Sequence, residues 1–301
     1  MSPSLRVKVK NLELRNPIVL CSGTAGFGLE LKEFIDFKNI GALITKTITL
    51  EEREGNSPPR IAESACGVIN SIGLENPGLW GFLEEWPRIK KLPTQVIVSV
   101  YAEDREEFKV IFRELNKINQ IKAIEVNLSC PNLKKEVVSQ DKRKTYFLTK
   151  YLRSLTKKVL IAKLTPEVSD ILEIAKACCD AGIDALSLTN TFFALKIDIN
   201  TRKPFLGNIF GGLSGPAIKP LVLYRVYKVY QALKIPIIAS GGILTYKDAL
   251  EFILAGATCV GLGTANLVNP KASQEIVKGL LSYMRKNKIS NLKKLKGYAC
   301  K

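Results

Sequence analysis

Residues 236–264 read PIIASGGILTYKDALEFILAGATCVGLGT, and this stretch decides the fold. It opens with an apolar run at 236–240 and closes with a second one at 259–263. From 245 to 255, apolar residues recur every three or four positions and charged residues fill the other face, which predicts an amphipathic helix. Continuous apolar strands joined by a helix are typical of a parallel sheet that is covered on both faces. The stretch therefore predicts one strand–helix–strand unit.

The same alternation recurs along the chain. Six further apolar runs predict strands at 17–20, 42–45, 95–100, 123–127, 159–164 and 185–189, with helical patterns such as 103–115, 169–181 and 216–233 between them. Eight strands alternating with helices predict an α/β fold of the (β/α)8 type, a TIM barrel. Residues 5–14 predict a short N-terminal β-hairpin at the barrel bottom, and we expect insertions after strands 2, 4 and 6.

Composition limits the class of protein. The 301 residues are 46% hydrophobic and show no linker, so we expect a single domain over residues 1–301. No apolar run reaches the roughly 18 to 20 residues that span a bilayer, which predicts a soluble protein. Seven cysteines without a secretory signal predict reduced thiols and a cytoplasmic location. The net charge of +17 favours a solvated lysine-rich surface over nucleic-acid binding.

The chain contains no histidine, and this restricts its chemistry. Ser-His-Asp and Cys-His nucleophiles are excluded, as are most catalytic zinc sites. The cysteines lack the spacing of a metal site, so we expect no metal. The segment NLSCPN at 127–132 follows predicted strand 4, and its Cys130 is the leading candidate for a catalytic base. An inert buried thiol is the alternative.

Polar residues follow the other predicted strands, where a barrel carries its active site. Glycine pairs follow strands 7 and 8, the usual phosphate site of this fold, although glycines also serve simple tight turns. Two lysines also stand at strand ends, and either one alone could be a Schiff-base nucleophile or an ion-pair partner. Two together favour stabilisation of a delocalised anion such as a reduced flavin ring. These residues are Lys46, Lys163, Gly241, Gly242, Gly263 and Thr264.

Six segments, in order over roughly residues 5–270, resemble dihydroorotate dehydrogenases of class 1, and class 1B in particular. They are NPIVLCSG at 16–23, GNSPPR at 55–60, NSIGLENPG at 70–78, NLSCPN at 127–132, GGLSGPA at 211–217 and ASGGI at 239–243. Two features depart from the usual pattern. Ser99 stands where class 1 enzymes commonly have asparagine, and the loop at 133–144 lacks the glycine-rich pattern of class 1B.

The resemblance implies an FMN-containing barrel that oxidises (S)-dihydroorotate to orotate in de novo pyrimidine (UMP) biosynthesis. It implies that a hydride passes from C6 to FMN and a proton from C5 to Cys130. The implied FMN contacts are Ser22, Lys46, Thr47, Ser99, Asn127, Lys163, Thr189, Gly215, Gly241, Gly242, Gly263 and Thr264. The implied substrate contacts are Lys46, Asn70, Ser71, Ile72, Gly73, Leu74, Asn127, Asn132, Asn190 and Thr191.

Class 1B further implies a partner subunit that carries FAD and a [2Fe–2S] cluster and passes electrons to NAD+. We expect a heterotetramer built on a homodimer of this chain. A fumarate-linked class 1A enzyme is the alternative, but the segments at 55–60 and 211–217 resemble class 1B. The barrel pattern starts close to Met1, so we do not expect the membrane-binding extension of the quinone-linked class 2 enzymes.

Other functional classes share parts of this pattern. A tRNA dihydrouridine synthase also combines an FMN barrel with a Cys-Pro motif and a basic surface, but we expect too few residues after Thr264 for its helical RNA-binding domain. A pyrimidine-base reductase would keep the cysteine and the asparagines and take a substrate without a carboxylate. A barrel that has lost catalysis is disfavoured by the intact set of polar residues.

Overall fold

The structure is a computed structural model that describes residues 3–129 and 137–301. Within these ranges the strands are β1 Val7–Val9, β2 Leu12–Leu14, β3 Ile18–Leu20, β4 Ala42–Ile44, β5 Ile61–Ser64, β6 Gly67–Asn70, β7 Gln95–Val100, β8 Ala123–Asn127, β9 Val159–Leu164, β10 Ala185–Leu188, β11 Phe192–Ala194, β12 Ile197–Asp198, β13 Lys203–Pro204, β14 Gly211–Ser214, β15 Ile237–Ser240 and β16 Cys259–Leu262.

The α-helices in the same ranges are α1 Gly78–Ile89, α2 Arg105–Lys117, α3 Lys142–Leu155, α4 Ile171–Asp180, α5 Lys219–Leu233, α6 Tyr246–Leu254, α7 Ala265–Val268 and α8 Ala272–Lys286. Short 3-10 helices occupy Phe37–Asn39, Val138–Gln140, Pro216–Ile218, Leu292–Lys294 and Tyr298–Cys300. Side-chain caps fix several helix starts. Asp104 accepts a hydrogen bond from the backbone N–H of Glu107 at α2, and Thr245 and Asp248 form a capping box at α6. None of the described helices is long and apolar enough to cross a bilayer.

Eight parallel strands close into a barrel in the order β10–β15–β16–β3–β4–β7–β8–β9. These are the eight strands that the sequence predicts. The bounds of β7, β8 and β9 match at both ends, and each of the other five differs by one residue at one end. Helices cover the outside, so β8 and β16 are buried at every position, as expected for parallel strands. The predicted (β/α)8 barrel is confirmed.

The predicted N-terminal hairpin is confirmed as the antiparallel pair β1 and β2. Val9, Leu12 and Leu14 are buried, which anchors the hairpin on the core. Lys10 stands at its turn and contacts the Asp184 carboxylate, with 2.5 Å between Nζ and Oδ1. Because Asp184 immediately precedes β10, the hairpin lies at the amino ends of the barrel strands, the end opposite to the active-site face of this fold.

The insertions after barrel strands 2 and 6 are present, and they form one sheet in the order β11–β14–β6–β5. In this sheet Gly212 pairs with Asn70. A Cβ atom at Gly212 would lie 1.9 Å from Oγ1 of Thr191, so only glycine fits there. The insertion after strand 4 covers the connection 128–141, of which 130–136 lie outside the described residues.

A carboxylate is buried among the apolar side chains of the barrel. Glu125, in the middle of β8, is 1% exposed. Its Oε1 accepts a hydrogen bond from Oγ of Ser99 at 3.3 Å, and its Oε2 has no hydrogen-bond partner among the described residues. Burial raises the pKa of Glu125, although the nearby Lys163 ammonium and hydrogen bonding by Ser187 and Ser99 act in the opposite direction. The barrel interior therefore favours the protonated form of Glu125 more than bulk water does.

We predict that Asp184→Ala lowers the free energy of unfolding by about 3 kcal/mol. The Asp184 side chain is 6% exposed and also accepts from Arg153 at 2.8 Å and from the backbone N–H of Leu160 at 2.9 Å. Its removal leaves these donors without their acceptor. Lys10→Ala is the matched control, because the Lys10 side chain is 56% exposed and such a pair contributes less than about 1 kcal/mol. Denaturant unfolding measures both variants, and equal losses would contradict the buried anchor.

A second prediction concerns Glu125→Gln and pH. The pKa of Glu125 is raised in the folded chain above its ordinary value of 4.5. Its favourable contribution to the free energy of unfolding is therefore complete below pH 4.5. The contribution is lost as the pH rises through the pKa of the folded state. The amide of Glu125→Gln stays neutral at every pH. The thermal midpoint of this variant minus that of the parent should therefore increase as the pH rises from 4.5. Glu106→Gln, in which the replaced side chain is 79% exposed, should show no such trend. A difference in thermal midpoint between Glu125→Gln and the parent that decreases with rising pH would refute the prediction.

Candidate active site

A cavity lies at the carboxyl ends of the barrel strands. It gathers predicted residues from four barrel strands and from both insertions, in agreement with the usual place of function in this fold. The predicted residues that line it are Asn70, Lys163, Thr189, Asn190, Thr191, Gly215, Gly241, Gly242, Gly263 and Thr264. A larger groove near the amino ends, lined by Gln95, Asn116 and Lys158 among others, contains none of the predicted residues that the structure describes.

The glycines of the cavity form a surface without side chains. Gly242, after β15, has φ +70°, and a Cβ atom there would lie 2.8 Å from the carbonyl oxygen of Gly215. At Gly263, after β16, a Cβ atom would meet no heavy atom within 4 Å, so the residue faces open space. Thr264 Oγ1 donates to Ser214 Oγ at 2.8 Å beside them. Backbone donors that are this accessible fit the phosphate group of FMN.

Two lysines add positive charge to this end of the barrel. Lys163, in β9, is half-buried and donates from Nζ to Oγ of Ser22 at 3.2 Å. Lys46 follows β4 and is also half-buried, and its ammonium group has no hydrogen bond or ion pair within the described ranges. A bound anion or electron-rich ring would find one cation already oriented by a hydroxyl and a second one available. The donor set therefore fits a flavin and its phosphate.

Among the described residues, the cysteine that lines the cavity is Cys21, at the end of β3. Burial raises the pKa of its thiol to about 11, while the Lys163 ammonium lowers it in part. Cys21 is therefore protonated near neutral pH and is poorly suited to remove a proton. In the ranges that the structure covers, no three metal-ligating side chains come together.

Cys130 and Asn132, the predicted base and one predicted substrate contact, lie outside the described residues. Their roles remain predictions. The residue before Cys130 is well placed: Ser129 Oγ donates to Oδ1 of Asn127 at 3.0 Å. Asn190 Nδ2 donates to the carbonyl oxygen of Ser129 at 3.1 Å and to its Oγ at 2.9 Å. Two predicted asparagines, from the ends of β8 and β10, thus fix the chain where it leads to Cys130.

The predicted substrate segment at 70–74 follows β6. Asn70 lines the cavity and donates from Nδ2 to the carbonyl oxygen of Gly212 at 3.2 Å. Ser71 is buried, and its Oγ accepts from Nδ2 of Asn56 at 2.9 Å. Amide hydrogen bonds from Asn70 to Gly212 and from Asn56 to Ser71 therefore hold the segment in place. Of the five residues of this segment, all of them described, Asn70 lines the cavity and Ser71, Ile72, Gly73 and Leu74 do not.

Thr47 and Ser99 are joined by a hydrogen bond inside the barrel. Their hydroxyl oxygens lie 2.9 Å apart, and Ser99 Oγ also donates to Glu125. Ser99 is fully buried within β7 and connects to the barrel mouth through Thr47. Sequence reasoning missed Glu125, although it is the one charged residue of the strand AIEVN at 123–127. It also missed Ser129 and Ser214, whose hydroxyls orient predicted residues.

Comparison with known proteins agrees with this site. A family model described as "Dihydroorotate dehydrogenase" matches residues 4–284. A Geotalea uraniireducens protein named "Dihydroorotate dehydrogenase B (NAD(+)), catalytic subunit" is 45% identical over 298 residues, which is 98% of each chain. Proteins of the same name from Desulforamulus reducens and Caldicellulosiruptor bescii are 46% identical over 302 residues (99% of each chain) and 44% identical over 297 residues (98% of each chain). The chain belongs to the dihydroorotate dehydrogenase family.

Proposed function

We propose that this chain is the FMN-binding catalytic subunit of an NAD+-linked dihydroorotate dehydrogenase, which oxidises (S)-dihydroorotate to orotate in pyrimidine biosynthesis. One observation carries the proposal. A side-chain-free glycine surface, a hydroxyl-bonded lysine and two amide side chains line one cavity at the carboxyl ends of the barrel. The relatives, which are 44–46% identical over nearly their whole length, carry a name for this activity.

The residues divide into two groups around the cofactor. Gly215, Gly241, Gly242 and Gly263 would hold the phosphate through backbone N–H groups, with the Thr264 hydroxyl beside them. Ser22, Lys46, Thr47, Ser99, Asn127, Lys163 and Thr189 would position the ring, either directly or, for the fully buried Ser99, through Thr47. When bound, FMN supplies the acceptor for the hydride of the substrate.

The amide side chains suit an anionic pyrimidine. Asn70 and Asn190 line the cavity, and each amide offers a donor and an acceptor without adding charge. Such groups match the ring amides of dihydroorotate, while Lys46 would neutralise its carboxylate. Thr191, which also lines the cavity, would close this set, together with Asn127, Asn132 and the segment from Ser71 to Leu74.

Cys130 would take the proton from C5. A free thiol has a pKa of about 8.5. It therefore acts well as a general base near neutral pH only beside dipoles or cations in a site closed to water. The bonds from Asn127 and Asn190 to Ser129 hold the preceding residue at the barrel mouth. This anchoring supports Cys130 as the base, whereas its raised pKa speaks against Cys21, which lines the cavity.

The comparisons favour this function over the alternatives. The match of the family model to residues 4–284 and the relatives' name support a dihydroorotate dehydrogenase over a tRNA dihydrouridine synthase or a pyrimidine-base reductase. The NAD(+) in the relatives' name supports the class 1B reading over a fumarate-linked enzyme. A catalytic subunit needs a second subunit, and we place FAD and a [2Fe–2S] cluster there because this sequence lacks cysteine spacing for a cluster.

We also propose that two copies of this chain pair within a heterotetramer. The insertion sheet and the segment beside it expose a group of apolar side chains, and Phe193 and Phe210 contact each other there with ring centroids 5.5 Å apart. Exposed apolar surface of this kind is typical of protein interfaces. The exposed residues are Ile61, Phe193, Leu195, Ile197, Ile199, Ile209 and Phe210.

Two further expectations belong to the same proposal. Residues 1–301 would form one FMN-binding domain, and a continuous apolar core that runs from Leu5 to Leu295 supports this. A cytoplasmic location is supported by the free state of the cysteines in the described ranges, since reduced thiols are typical of the cytosol.

The function is tested by the visible spectrum. We expect the purified chain to bind one FMN and to bleach when dihydroorotate is added without oxygen. Dihydrouracil, which lacks the carboxylate, is the matched control and should bleach the protein far more slowly, because Lys46 gains no partner. A colourless chain that cannot be reconstituted with FMN would overturn the proposal. Equal bleaching by dihydrouracil would instead support a pyrimidine-base reductase.

The role of Cys130 is tested by Cys130→Ser. The variant should keep FMN and lose turnover by about 10²- to 10⁴-fold, the usual contribution of a general base. Anaerobic stopped-flow bleaching measures the loss directly. Cys300→Ser, at a cysteine near the carboxyl terminus, should retain the rate of the parent. Unchanged bleaching by Cys130→Ser would remove the cysteine from the mechanism.

A further inference from the structure

A chain of hydroxyl groups connects the buried Glu125 to the barrel mouth. Ser99 Oγ donates to Glu125 Oε1 at 3.3 Å, and the Ser99 and Thr47 hydroxyl oxygens lie 2.9 Å apart. All three side chains are at most 5% exposed, so bulk water does not compete for these bonds. Thr47 directly follows Lys46, beyond the end of β4, and therefore stands at the outer end of the chain of hydrogen bonds.

The charge state of Glu125 fixes the direction of these bonds. A carboxylate can only accept, so Ser99 must donate to it and must in turn accept from Thr47. The single Thr47 hydroxyl proton is then donated to Ser99, so toward the mouth the Thr47 oxygen can only accept a hydrogen bond. When Glu125 is protonated on Oε1, it donates to Ser99, Ser99 donates to Thr47, and the Thr47 proton becomes free to donate outward. One proton on Glu125 thus converts Thr47 from an acceptor into a donor.

The groups around Glu125 act on its two protonation states in opposite directions. The charged or titratable groups that act on it are Lys163 on the neighbouring strand β9 and the Cys21 thiol at the end of β3. From β7 and β10 it is faced by the neutral hydroxyls of Ser99 and Ser187. Its Oε2 has no hydrogen-bond partner within the described ranges, which makes the ionised form costly. Burial favours the protonated form, and the nearby Lys163 ammonium acts in the opposite direction.

We propose that Glu125 is a positioning residue whose protonation state sets, through Ser99, whether Thr47 accepts or donates a hydrogen bond at the flavin site. The inference rests on the proposed function, because it takes FMN as the ligand at the mouth. Reduction adds negative charge there, and a negative charge favours the donor state of Thr47 and hence the protonated form of Glu125. Reduction is therefore coupled to the uptake of one proton in the barrel interior.

The test is the midpoint potential of the bound FMN, titrated with a chemical reductant at a series of pH values above 4.5, the ordinary glutamate value. The proteins are the parent, Glu125→Gln, Ser99→Ala and Ser187→Ala. Ser187→Ala is the matched control, because Ser187 faces Glu125 without leading to Thr47. Thr47→Val interrupts the same chain at its outer end and replaces Ser99→Ala if that variant fails to fold.

The parent should show a steeper fall of potential with pH than Glu125→Gln. One extra proton changes the equilibrium constant for reduction up to tenfold per pH unit, or about 30 mV for two electrons. Ser99→Ala and Thr47→Val should follow Glu125→Gln, and Ser187→Ala should follow the parent. The infrared difference spectrum of reduction should contain a protonated-carboxyl band that Glu125→Gln lacks.

Two results would overturn the relay. If Ser99→Ala keeps the slope of the parent, the charge of Glu125 acts through space and the hydroxyl chain carries nothing. If the parent is no steeper than Glu125→Gln, Glu125 takes up no proton on reduction. Either result leaves the proposed function intact when dihydroorotate still bleaches the protein. A chain that binds no FMN would overturn both proposals together.

Discussion

Closure of eight parallel strands into one barrel is the constraint on which the rest of the structure depends. A closed barrel pairs every strand on both sides, so no barrel strand is left with an unpaired edge. Parallel strands also place all of their carboxyl ends at one face. Residues as distant in sequence as Cys21, Lys163 and Gly263 therefore meet in one cavity, although no local interaction brings them together.

The barrel interior is not uniformly apolar, and its polar part is placed for function. Glu125 lies below the mouth, next to Ser99 of β7, Ser187 of β10 and Lys163 of β9. A buried carboxylate without a full set of partners costs stability, and such costs are typical of functional sites. In this chain the cost falls on the strand that ends at Asn127 and leads to Cys130. The same strand thus carries the buried acid and a predicted flavin contact, and the predicted base follows it three residues later in the sequence.

The insertions extend the barrel into a second layer above its mouth. Strands β5 and β6 come from one connection and β11 and β14 from another, yet they pair in a single antiparallel sheet. The pairing at Asn70 and Gly212 brings a predicted substrate contact to the cavity, and it needs a glycine because Thr191 fills the space beside it. The apolar residues on the outside of this layer leave a surface suited to another protein chain.

Much of this protein is determined by its sequence alone. The apolar period of each strand, the helices between them and the glycine pairs after strands 7 and 8 predict the barrel and its mouth, because local patterning and strand order decide them. The segments at 16–23 and 127–132 further indicate the family. Tertiary structure alone decided that two insertions share one sheet, that Ser99 points into the barrel, and that Glu125 joins it to Thr47. These are contacts between residues far apart in the chain, and such contacts depend on strand register and side-chain direction in the closed barrel, which no local pattern encodes.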